Sequence, residues 1–70
     1  MIEVKSQGLT LRIGIQAALT MTVNDDYSEL DSMVDSINEN APMKINTTVL
    51  IEDLNAALDS YFRVKSSINN

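Results

Sequence analysis

The sequence predicts a small α+β domain: a β-hairpin or small sheet with two amphipathic helices packed on one face, in the order β-β-α-(β)-α. Three patterns lead there. Apolar residues alternate through the first third of the chain. The middle third carries apolar residues at offsets of three and four, and the same helical spacing returns over the last third. An all-α three-helix bundle, with Leu9–Val23 helical and buried, is the alternative architecture.

The hairpin comes first. Ile2 and Val4 alternate with Glu3 and Lys5, and Ser6-Gln7-Gly8 makes a short connection in which Gly8 can take positive φ. From Leu9 to Val23 every odd position is apolar, while the even positions are Thr10, Arg12, Gly14, Gln16, Ala18, Thr20 and Thr22. Period two and the β-branched residues describe a strand with one buried face. Strands usually run about 5–6 residues, so Gly14 is expected to bend this one. Ala17-Ala18 favours helix, which keeps a helix from Gln16 to Val23 open. As a strand, the segment has a long edge with one charge on its polar face. Such an edge invites pairing, and Ile15, Leu19 and Met21 become candidates for self-association.

The stretch NDDYSELDSMVDSINEN, from Asn24 to Asn40, holds six acidic residues and no basic one. Asp26 with Glu29 has the spacing of a capping box. Tyr27, Leu30, Met33, Val34 and Ile37 draw one helical face, and Asp31, Asp35 and Glu39 form a stripe opposite it. Pro42 disfavours helical geometry at Ala41 and ends the helix. Residues 43–47 could add a short strand. The last helix is expected over about 48–66, with Leu50, Leu54, Ala57, Leu58, Tyr61 and Val64 or Lys65 on one face. Glu52 and Asp53 lie early and Arg63 and Lys65 late, as the helix dipole favours. Phe62, beside Tyr61 but turned about 100° from it, is a candidate partner contact.

Length and composition narrow the function. Seventy residues make a single small domain over 1–70, with 66–70 read as a frayed tail. There is no Cys and no His. A Ser-His or Cys-His nucleophile and a thiolate metal site are therefore impossible. The two glycines cannot build a phosphate-cradling loop. No EF-hand register fits the carboxylates: counted from Asp25, the sixth residue is Leu30 and the twelfth Ser36. No cofactor, metal site or enzymatic activity is expected. The net charge of −5 argues against direct binding to a nucleic-acid backbone. The N-terminus carries Glu3 and lacks the basic start of a secretory signal, and no segment is long and apolar enough for a bilayer. A cytoplasmic location away from membranes is the expectation.

Tyr27–Asp31, YSELD, resembles in part the S-x-E-L-D motif of small sporulation phosphatases. Those proteins are plain helical hairpins, whereas a strand-like segment precedes the motif here, and no family is assigned. The function read from the sequence is a non-catalytic interaction module. It would be a small acidic adaptor or inhibitor, of a size that phages and mobile elements encode. It would self-associate as a homodimer or larger homo-oligomer and dock Asp31, Asp35, Glu39 and Phe62 on a protein partner with a basic surface. Two alternatives stand beside it: a structural subunit of a virion or secretion assembly, and an acidic nucleic-acid mimic that inhibits a DNA-binding protein.

Overall fold

The computed structural model describes residues 1–42 and 44–69. Two strands, β1 (Ile2–Ser6) and β2 (Leu9–Ile13), are followed by three helices, α1 (Ile15–Asn24), α2 (Ser28–Asn40) and α3 (Thr47–Asn69). The fold is α+β, and the three-helix bundle is not favoured. Ser6 lies opposite Leu9 and Ile2 opposite Ile13 in an antiparallel ladder. Gln7 and Gly8 both have positive φ, 54° and 87°. That is the signature of a type I′ turn, whose twist matches the strands it joins.

One inner face collects the core. Ile2 and Val4 point inward from β1, Leu30 and Val34 from α2, and Leu50, Leu54 and Leu58 from α3. Ala18 of α1 and Ile45 before α3 complete it. The α2 face matches expectation: Leu30 and Val34 are buried, Tyr27, Met33 and Ile37 half-buried, and the acidic stripe exposed. The apolar line of α3 is buried as far as Leu58 and half-buried at Tyr61, then emerges at Val64.

The long second strand is the main correction. β2 stops at Ile13, Gly14 is extended at the helix N-cap, and residues 15–24 are helical, which adds a third helix to the two expected. Gly14 does divide the segment, as the junction between two kinds of structure. Two features let the β-branched residues live in a helix. Thr20 and Thr22 donate their hydroxyls to the carbonyls of Gln16 and Ala18, both at 2.9 Å. Ala18, assigned to the polar strand face, is instead fully buried. The cost is visible outside: residues spaced by two scatter around a helix, and Val23 stays 80% exposed.

Smaller corrections follow at the helix ends. Asp25 adopts the left-handed conformation (φ 50°), and the N–H groups of Asp25 and Asp26 donate back to Thr22 and Met21. This is a Schellman closure built on Asp in place of Gly. Tyr27, not Asp26, is the N-cap of α2. Asp26 instead accepts the Ser28 N–H at 3.2 Å and the Ser28 hydroxyl, so the capping box with Glu29 does not form. α3 begins at Thr47 and continues through Asn69, past the Ser66 at which a loose tail was expected; Asn70 lies outside the described residues. The longer helix leaves Glu52 and Lys65 outside its terminal turns, so the expected dipole match is lost.

The expected strand at 43–47 does not form among the described residues; Met43 lies outside them and Thr47 already belongs to α3. Two side-chain amides take the place of a ladder. Asn38 Oδ1 accepts the Ile45 N–H at 2.7 Å, and Asn38 Nδ2 donates to the Ile45 carbonyl at 3.0 Å. Gln7 does the same one residue on: its Oε1 accepts the Asn46 N–H at 2.9 Å and its Nε2 donates to the Asn46 carbonyl at 3.1 Å. Asn46 in turn caps α3, with Oδ1 3.2 Å from the Val49 N–H.

Asn38→Ala removes both bonds from a buried backbone unit, which costs about 2 kcal/mol. That outweighs the roughly 0.6 kcal/mol gained in helix propensity. The expected outcome is a lower urea midpoint with an unchanged slope. Asp25→Gly relieves the left-handed strain and is expected to raise stability by about 0.5–1 kcal/mol, a rise of several degrees in Tm.

Candidate functional site

Two surfaces stand out, at different places on the fold. The first is the acidic face of α2. Asp31, Asp35 and Glu39 are all exposed and share one side, with successive side chains about 5–6 Å apart. Asp31 is partly engaged: its Oδ1 accepts the Thr47 hydroxyl at 3.3 Å, beside the positive end of α3. Among the described residues, no hydrogen bond or ion pair engages the side chains of Asp35 and Glu39. The ion pairs lie elsewhere, linking Lys5 and Arg12 to Glu3 and Arg63 to Asp59. Lys44, the nearest basic residue in sequence, donates to the Asn38 carbonyl at the end of α2. Asp26, two residues before this helix, is held below the usual carboxylate range by the Ser28 hydroxyl and the Ser28 N–H.

Phe62 does not join this face. Thr47 touches Asp31, and Phe62 lies fifteen residues further along α3, about 22 Å away along its axis. It is 41% exposed and meets Tyr61 edge-on at 5.2 Å between ring centres. Ile15, Leu19 and Met21 sit on α1, not on a strand edge. Ile15 and Met21 pack against the core and Leu19 is half-buried. A helix satisfies its own backbone groups, so this segment offers no ladder to another strand.

The second surface was not visible in sequence. An open groove of about 800 Å³ runs between β1 and the C-terminal half of α3, with Ile2, Ala57, Tyr61 and Val64 as its apolar lining and Lys5 and Lys65 among its charged residues. Its strand side is the outer edge of β1. β1 pairs only with β2 among the described residues, so that edge is free. The only sequence hint is Val64, which continues the apolar line of α3 beyond the residues that the core uses.

Among the described residues, no group of three or more carboxylates is placed to hold a metal, and no helix is long and apolar enough to cross a membrane. The depressed Asp26 carboxyl carries a pH signature. Its stabilising effect is present above the ordinary value of 3.8 and is lost as pH falls through the lower folded value. Urea midpoints measured from pH 5 downward are expected to fall less steeply in Asp26→Asn than in the parent protein. No family model matches the chain, and neither a curated protein nor a solved structure matches it.

Proposed function

We propose that this chain is a non-catalytic protein–protein interaction module. It self-associates, and it docks on a larger protein through the acidic face of α2. The observation that carries the reading is the position of Asp35 and Glu39, exposed and without side-chain partners among the described residues, in line with Asp31. Like charges four residues apart weaken a helix by a few tenths of a kcal/mol per pair. Glu39 also faces the negative end of its own helix, where a carboxylate is unfavourable. A helix shaped only for stability would place a Lys or Arg there. A basic patch on a partner relieves all three charges at once, and association steered by such charge is salt-sensitive. A small acidic adaptor or inhibitor acting in the cytoplasm fits this chemistry.

The triple variant Asp31→Asn, Asp35→Asn, Glu39→Gln separates docking from folding. Asn at 31 keeps an acceptor for Thr47. Removing two repulsive pairs is offset by losing the Asp31 charge beside the helix N-termini, so stability is expected to stay within about 0.5 kcal/mol of the parent. Amine-to-amine cross-linking in cells that produce the protein, through Lys44 at the end of α2 and unchanged in the variant, is expected to join the parent chain to a lysine-rich surface of a larger protein. The triple variant should lose at least nine-tenths of that adduct. Equal adducts from both proteins would overturn the docking reading.

A further inference from the structure

We propose that the groove beside β1 is filled by β1 of a second copy, giving a continuous four-stranded antiparallel sheet in the order β2-β1-β1-β2 across a twofold axis at Val4. This names the surface for the self-association part of the reading above and rests on that part alone.

The backbone geometry gives the first reason. The two-residue turn closes with Ser6 and Leu9 as a hydrogen-bonded pair, and such pairs alternate along an antiparallel ladder. Val4 with Leu11 and Ile2 with Ile13 are therefore bonded pairs as well. Glu3 and Lys5 turn their N–H and C=O groups the other way, toward the free edge of β1. That edge contains no Pro and no bulge, and its inward side chains are uncharged; the features that guard it are its shortness and the charges of Glu3 and Lys5, which a partner strand of opposite pattern would neutralise.

The charges then select one register. Only Glu3 and Lys5 present backbone groups to the edge, so a twofold pairing must set these two residues against each other or against themselves. An axis at Glu3 would place two carboxylates opposite one another, and an axis at Lys5 would do so with two ammonium groups. An axis at Val4 places Glu3 opposite Lys5 of the second copy, twice over, with four new backbone hydrogen bonds. On the outer face the row then reads Arg12, Glu3, Lys5 and Thr10 from one β2 to the other. Glu3, already 3.7 Å from Lys5 and 3.9 Å from Arg12 in its own chain, would lie between cations on both sides. Opposite charges across a ladder stabilise it, and like charges weaken it.

The inner face supplies the apolar term. Val4 at the axis is already fully buried in its own chain, so the apolar area comes from the end of α3. The overhang of each α3, with Tyr61 half-buried and Val64 60% exposed, would cover the neighbouring strand. A chain of this size has a small core and gains from such burial.

The test uses charge reversal on the purified full chain. The mass is read by light scattering or sedimentation across a dilution series, with circular dichroism as the check on folding. The parent is expected to have twice its 7.7 kDa mass. Glu3→Lys and Lys5→Glu each turn both charge pairs repulsive and should weaken the dimer roughly tenfold or more. An equimolar mixture of the two variants restores Lys opposite Glu at both positions, and should recover the dimer as a mixed species. A parent that stays monomeric overturns the proposal. So does a single variant that dimerises as tightly as the parent, and so does a mixture that fails to recover the dimer. The triple α2 variant should remain dimeric, so failure here leaves the docking reading standing, and the reverse holds too.

Discussion

The position of α3 depends on two amides. Ahead of α3, Ile45 is buried and Asn46 exposed, and neither belongs to a strand. A buried N–H or C=O without a partner costs about 1–3 kcal/mol. Asn38 satisfies both groups of Ile45, and Gln7 satisfies both groups of Asn46. The two contacts fix the start of α3 to α2 on one side and to the hairpin tip on the other. Asn46 then caps the helix, so Leu50 and Leu54 arrive fully buried in the core shared with β1. Gln7 also donates to the hydroxyl of Ser6, the one buried polar residue identified in the core face of β1.

This arrangement explains the shape of what remains outside. α3 packs against β1 and continues beyond Leu58, its last buried residue among those described, so that Phe62 to Ser66 are exposed. β1 is the strand under α3 and also the strand with a free outer edge. An apolar wall and an open edge therefore meet in one groove. α1 buries only Ala18 fully, with Ile15 and Met21 half-buried against the core, and its scattered apolar positions leave Val23 in solvent. The acidic face of α2 belongs to the opposite logic, in which a cleanly amphipathic helix turns all its charge outward.

The sequence was most legible where local pattern and tertiary context agree. Ser6-Gln7-Gly8 between two alternating runs marked the hairpin, with Ser6 alone misplaced: it closes β1 opposite Leu9 and only Gln7-Gly8 turn. The offsets of three and four in α2 and α3 gave both helices and most of the core. The acidic stripe was legible too, because helical spacing alone puts Asp31, Asp35 and Glu39 on one face. α1 was not. Its alternation is that of a strand, and its Thr residues favour one. The choice was made by the Ala17-Ala18 pair and by Thr hydroxyls that bond back within the helix. The clamps left no trace in sequence, since an Asn on a helix and a Gln in a turn are ordinary there. The β1 groove was hidden for a different reason: it joins the first five residues to the last turns of α3, and no local window contains both.

The claim that two amides seat α3 on the hairpin is tested most directly by hydrogen exchange at the backbone N–H groups of Ile45 and Asn46. If Asn38 and Gln7 hold them, both exchange slowly, and Gln7→Ala frees Asn46 while Ile45 stays protected. If both exchange at the rate of an open loop in the parent protein, the clamp does not exist in solution and something else positions α3.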